Sequence, residues 1–312
     1  MEEHGRRHAA KAPLAVIVFN RPDLATKLYD ALLAERSREL FVISDGPRDS
    51  RPGDAEKVES CRRIFSQWSG KVHFINAKEN MGCRARIVSG LDLVFEKTDQ
   101  IIILEDDCIP HPDFFTFVDE MLDRYETDTR VMSISGTNWY SKDDLFPWSY
   151  CFSRYQNCWG WATWKRSWQL FDRDLLNLDV AKQTGLLKNL LGSYRAYLYW
   201  HLYVLEGVRS GRINSWAYIW TFSGFVNHGL QIIPHSNLVL NVGAGVDATH
   251  TTRAPNHANE GVSGLDFPLV HPPAIFPLPK LDAVIEDRIF SKSIVQRLIW
   301  GLRKIKYTFL DK

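Results

Sequence analysis

The residues best suited to chemistry stand together at Glu105–Asp106–Asp107, inside the stretch TDQIIILEDDCIPHPDFF at 98–115. They follow Ile101–Ile102–Ile103–Leu104, a run that reads as a strand buried on both faces. In open α/β sheets, ligands bind beyond the C-terminal ends of the strands. Carboxylates at that point suit a hard divalent cation and, through it, phosphate oxygens. The bland alternative is solvated loop charge. An abrupt switch from core strand to acid cluster favours a site, because a strand aims side chains better than a free loop does.

Two further polar groups occur in the same setting. Leu14–Phe19 reads as a strand that breaks at Asn20–Arg21–Pro22, and Leu40–Ser44 as one that closes on Asp45–Gly46–Pro47. An arginine there could grip a diphosphate bidentately; otherwise Arg21 is a surface charge at a helix start. Asp45 could equally serve only its own turn. Strands are also predicted at Val72–Asn76 and Val131–Ser135, with helices over Asp23–Glu35, Asp54–Trp68, Arg84–Phe95 and Phe114–Tyr125. This alternation predicts an α/β fold, a Rossmann-like and mostly parallel sheet wound by right-handed crossovers and flanked by helices. All three polar groups would then share one rim of the sheet.

From about Thr137 the pattern loosens and tryptophans gather, from Trp139 to Trp220. Most read as core, although indole faces also suit stacking on sugar rings. The chain divides into a polar tail (1–12), one large domain (13–254, with halves 13–136 and 137–254), a Pro-rich wrap or linker (255–280) and a C-terminal extension (281–312). The extension carries a basic amphipathic helix candidate, Ser291–Lys312, suited either to a membrane surface or to docking on its own domain. The formal net charge of +1 gives no electrostatic footprint for nucleic acid. The 5 cysteines form no CxxC pair and leave one odd, which argues against a disulfide framework or structural zinc and for a reducing cytosol. The N-terminal residues lack the apolar region of a secretory signal, and no apolar run is long enough to span a bilayer. The expected location is cytoplasmic, at most peripheral on the inner face of a membrane.

Five segments occur in order: VFNRP at 18–22, ISDGP at 43–47, ILEDDCIPHPDFF at 103–115, NCWGWATWKRSW at 157–168 and PHSNLVLNVGAGVDATHT at 234–251. In these the chain resembles GT-A-fold nucleotide-sugar glycosyltransferases, in particular N-acetylglucosaminyltransferase I and bacterial family-2-like enzymes. The resemblance implies a hexosyl or N-acetylhexosaminyl transfer from a nucleotide-diphosphate sugar (a UDP-sugar by default) to a glycan or lipid-linked acceptor, in bacterial cell-surface polysaccharide assembly. It implies that Asn20 and Arg21 meet the donor, Arg21 at its diphosphate, that Asp45 meets the base, and that Glu105 and Asp106 hold the ribose and its surroundings. Asp107 would ligate Mn2+ or Mg2+, Arg84 would lie near the donor, and His250 would be a second metal or phosphate contact. Trp159, Trp161 and Trp216 would face the acceptor.

An inverting transfer needs a carboxylate to take the acceptor proton. In the relatives that base is an Asp directly after a Trp; here the corresponding stretch is Ser215–Trp216–Ala217, and Ala217 cannot accept a proton. Asp247 is the preferred substitute, with Glu206 and Asp172 behind it. A non-catalytic nucleotide-sugar or glycan-binding protein that has lost its base is the rival reading.

Overall fold

A computed structural model describes residues 11–140, 145–243 and 261–287. The first half is a run of β–α units: β1 (Leu14–Val18), α1 (Pro22–Ala31), β2 (Leu40–Ser44), α2 (Asp54–Phe65), β3 (Val72–Asn76), α3 (Cys83–Phe95) and β4 (Gln100–Glu105). A short β5 (Cys108–Pro110), α4 (Asp113–Arg124) and β6 (Val131–Ser135) follow. Strands β3, β2, β1 and β4 lie side by side and parallel, so their C-terminal ends form one rim. The α/β fold, a mostly parallel sheet flanked by helices, is the one that the sequence pattern predicts.

The second half completes the sheet differently. β7 (Tyr150–Ser153) and β8 (Trp161–Trp164) run antiparallel to their neighbours, β8 entering between β4 and β6. Short helices α5 (Lys165–Trp168), α6 (Leu178–Gln183) and α7 (Leu186–Leu190) come next. A longer helical run, α8 (Tyr194–Leu198) to α9 (Glu206–Arg209), leads on to α10 (Trp216–Val226), β9 (Leu230–Pro234) and β10 (Val239–Asn241). The order of the eight-stranded sheet is β3-β2-β1-β4-β8-β6-β9-β7, and β10 pairs with β5 in a separate ribbon.

Both faces of the sheet are covered. One cluster joins Ile43, Leu91, Ile103, Trp161 and Trp220, so α3 and α10 share that side. The other joins Leu28, Val42, Phe65, Leu104, Phe117 and Trp164 under α1, α2 and α4. Alternate residues of β4 therefore face opposite cores, which is why Ile101 to Leu104 are all apolar.

The described part of the Pro-rich segment is a strap packed on the body. Ser149 N–H donates to the Val270 carbonyl (2.9 Å) and Leu278 N–H to that of Phe152 (2.7 Å). The strap ends in α11 (Pro279–Ile285), whose Leu281 and Ile285 enter the core and whose Asp282 accepts from Ser153 Oγ at 2.7 Å. The amphipathic stretch Ser291–Lys312 lies outside the described residues. Among the described residues no helix is long and apolar enough to cross a membrane.

Candidate active site

Pro22 opens α1 with a fixed φ and places Arg21 at the helix start, beside the end of the neighbouring strand β4. Arg21 Nε lies 3.2 Å from Asp106 Oδ2, and Nη2 contacts Asp106 Oδ1 and, at 3.0 Å, Asp107 Oδ2. The loops after β1 and β4 thus close on each other through one guanidinium. Asp106 is buried, and its backbone N–H donates to the Ile17 carbonyl at 3.0 Å. Burial pushes its carboxyl up to about 6 although Arg21 opposes the shift. Burial, then the charges of Asp107 and Asp106, push Glu105 up to about 8. Three carboxylates face one cation here, and negative charge is left over.

Asp107 is held from a second direction. Asn241 Nδ2 donates to its Oδ1 at 3.2 Å, and Val242 N–H to its carbonyl at 2.8 Å, where β10 lies against β5.

Asp45 builds its own turn. Its carboxylate accepts from the N–H groups of Gly46 (2.8 Å), Met81 (2.9 Å) and Gly82 (3.0 Å) and from Asn80 Nδ2 (3.1 Å), so any contact with a base would come in addition. The approach is close: a Cβ on Gly46 would fall 2.4 Å from the Glu79 carbonyl carbon. Cys83, at the start of α3, links the groups; burial and the charges of Glu105, Asp107 and Asp45 push its thiol up to about 12. Asp45, Glu105 and Asp107 thus all lie close enough to Cys83 for their charges to act on it.

Two expected donor contacts point elsewhere. Asn20 Nδ2 donates to Asp54 Oδ1 at 2.8 Å, away from the acids. Arg84 Nη2 donates to the Arg173 carbonyl at 3.1 Å, on the exposed side of α3. Its neighbour Arg86 turns inward instead. Arg86 is 5% exposed, donates to the Ile75 carbonyl (2.5 Å) and Ser89 Oγ (3.3 Å), and its Nε has no hydrogen-bond partner among the described residues. Burial holds its guanidinium below the usual arginine range against the pull of Asp45. The signal was present in the sequence, since Arg86 shares the inward face of α3 with Gly90.

The tryptophans divide as well. Trp161 is 1% exposed, stacked on Trp216 at 5.5 Å and 28°, with Trp220 at 5.7 Å. Trp216 is buried too. Neither offers a free ring face, so the acceptor role expected for both is corrected to packing. Trp159 remains half-buried, with its ring in edge contact with Trp139 at 5.1 Å.

The sequence profile of glycosyl transferase family 2 matches residues 14–180, more than half of the chain and the whole of this rim. The chain belongs to glycosyl transferase family 2. No curated protein matched the sequence of this family 2 chain. Among solved structures, UDP-glucose pyrophosphorylase complexed with UDP-glucose aligns with a TM-score of 0.30 and 8% identity, over 52% of this chain and 79% of that one. The galactosyltransferase LgtC, in complex with donor and acceptor sugar analogs, aligns with a TM-score of 0.32 and 11% identity, over 55% and 64%. Likenesses this weak carry no argument about chemistry.

Of the residues weighed as proton acceptor for an inverting transfer, several are accounted for. Ala217 is the second residue of α10 and packs against the aromatic core. Asp172 accepts from the N–H groups of Leu176 (2.8 Å) and Asn177 (2.9 Å) and so shapes a turn. Glu206 is hydrogen-bonded to Lys182 and paired with Arg209, which hold it below the usual carboxylate range. A carboxylate so stabilised is a weak base. Asp247 and His250 lie outside the described residues.

Proposed function

We propose that this family 2 transferase moves a sugar from a nucleotide-diphosphate sugar, by default a UDP-sugar, to a hydroxyl of a glycan or lipid-linked acceptor, with inversion. The observation that carries the reading is the closure of the loops after β1 and β4 through Arg21, Asp106 and Asp107 at the sheet rim. A rim that joins a diphosphate-gripping residue to an excess of carboxylates suits a diphosphate bridged by a cation.

The residues fit a divalent cation of the Mg2+ or Mn2+ kind. Their donor atoms are carboxylate oxygens, which hard cations prefer. Burial raises the carboxyls of Glu105 and Asp106, with the charges of Asp107 and Asp106 adding to it at Glu105, so a bound cation would favour their ionised forms. Among the described residues no three acidic, histidine or cysteine side chains already form a cage. Asp107 would then hold the ion together with donor oxygens. When bound, the cation supplies Lewis acidity to the leaving diphosphate.

The other roles fall to the chain itself. Arg21 brings preorganised positive charge to the diphosphate as the anomeric carbon–oxygen bond breaks. The Asp45 turn and Arg86 form the base end of the donor site. Trp159 is the acceptor-side ring. The acceptor proton goes to Asp247 in this reading, because Ala217 cannot take it. Turnover of UDP-sugars with Mn2+ tests the whole scheme, and Asp107→Ala and Asp247→Ala should each lower it by about 100-fold or more.

Ala217 also sustains a second reading, a nucleotide-sugar-binding protein without turnover. Donor binding seen as a thermal shift, with no release of nucleotide in the presence of any acceptor tried, would select it. A cytoplasmic protein at the inner face of a membrane is the setting we propose for either reading. The basic segment 288–312 would make the contact. Flotation of the full chain with anionic liposomes, and sedimentation of a chain ending at Asp287, would bear this out; equal flotation of both would refute it.

A further inference from the structure

Asn241 stands beyond residues 14–180, the part of the chain that the family profile covers. It closes β10, and three contacts run from this short segment to Asp107. The first is its own Nδ2, 3.2 Å from Asp107 Oδ1. The second is Val242 N–H, donating at 2.8 Å to the Asp107 carbonyl. The third is steric: a Cβ on Gly243 would lie 2.0 Å from Asp107 Oδ2. The carboxylate is thus hydrogen-bonded by Asn241 on one oxygen and, at the other, paired with Arg21 at 3.0 Å and packed against the bare backbone of Gly243.

The orientation of the amide is fixed by a neighbour. Gly243 N–H donates to Asn241 Oδ1 at 2.9 Å. A flipped amide would set an NH2 group against that N–H and a carbonyl against the carboxylate, two repulsive contacts. The NH2 group therefore faces Asp107. Because the donor is neutral, it orients the carboxylate without adding to the positive charge that Arg21 already brings to its other oxygen.

We infer that Asn241 is a positioning residue that orients the Asp107 carboxylate, already paired with Arg21, toward a divalent cation, with the bare backbone of Gly243 leaving room for the second oxygen. The inference rests on the reading of Asp107 as the cation ligand. It couples the second half of the chain to the acid cluster of the first.

The test measures Mn2+ binding to the full chain, alone and with UDP, from the electron paramagnetic resonance signal of the free ion. Asn241→Ala should weaken Mn2+ binding by about 10- to 100-fold, as loss of such supporting contacts does elsewhere. Its thermal midpoint without metal should stay near that of the parent protein. In turnover, the same variant should need more Mn2+ while its acceptor KM is unchanged, a pattern that a general loss of structure would not give. Gly243→Ala should also lose Mn2+ affinity, by filling the space at Oδ2.

Asp107→Ala separates the inference from the reading beneath it. If Asp107→Ala loses Mn2+ and Asn241→Ala does not, the inference is overturned and the reading survives. If Asp107→Ala binds Mn2+ as well as the parent protein, both are overturned. Should Asn241→Ala fail to fold, Asn241→Ser, which retains an acceptor for the Gly243 N–H, takes its place in the comparison.

Discussion

Arg21 carries two tasks that substitution can separate. It neutralises a buried Asp106 and bridges to Asp107, both within 3.2 Å. Removing one partner of a buried pair costs about 3–5 kcal/mol when the other stays charged. Here the loss should be smaller, because Asp106 is already pushed up to about 6 and can take a proton. Arg21→Ala is therefore expected to fold, to shift its thermal midpoint down modestly, and to lose about 100-fold or more in transfer rate. Arg21→Lys should recover stability but little of the rate, since one ammonium cannot span both carboxylates in a fork. Recovery of full activity in the lysine variant would remove the diphosphate-gripping role. Trp161 is the contrasting case. Its ring is enclosed by Trp216 and Trp220, so Trp161→Ala should cost about 3–5 kcal/mol by leaving a cavity. Acceptor and donor KM should then move together; a rise confined to the acceptor would return Trp161 to the acceptor site.

At the scale of elements, the loops are braced as well as aimed. Asp54, at the start of α2, is held at about 2 by hydrogen bonds from Arg48, and it also receives Asn20. Arg48 in turn lies 5.1 Å over the Phe19 ring, so one carboxylate ties the loop after β1 to the loop after β2. Asp54→Ala should unfasten both loops and lower stability by about 1–3 kcal/mol. Donor KM should rise more than kcat falls; an unchanged donor KM would make the brace purely structural. The same elements show what the sequence makes legible. Strands β2, β3 and β6 begin and end where the sequence predicts. The place of β8 between β4 and β6 was not legible. Its four residues are buried on both faces and carry no period, and strand order is decided by tertiary packing. The β5–β10 ribbon was hidden for a similar reason, since it pairs residues 108–110 with 239–241, a long-range match that local pattern cannot announce. Of the site, the rim was readable from strand ends. Of Arg84 and Arg86, the one that turns inward was marked only by its four-residue spacing to Gly90 on one face of α3.

For the whole molecule, buried acids set a pH dependence opposite to the usual one for surface carboxylates. Burial raises Glu105 to about 8 and Asp106 to about 6, and it also raises Asp282 and Glu286 where α11 docks. A carboxyl whose folded pKa exceeds its unfolded value binds more protons in the folded state between the two. Its contribution to stability is therefore complete below about pH 4 and is lost as pH rises through the folded value. Asp54 works the other way, but only as pH falls toward 2. The thermal midpoint in a chelator should accordingly fall between about pH 5 and pH 9, with the last part of the fall belonging to Glu105. Glu105→Gln should flatten that upper part, and Asp282→Asn should leave it alone, since Asp282 is anchored to Ser153 and Arg154 at the far side of the sheet. A cation bound by ionised acids competes with these protons, so the stabilisation by Mn2+ with UDP should be larger at high pH than at low. Midpoints recorded across this range, with chelator and with Mn2+ plus UDP, measure both effects at once. A midpoint that climbs with pH in the chelator would mean that the rim acids are ionised and satisfied without a cation. The excess negative charge at the end of β4 would then have no ligand to explain it.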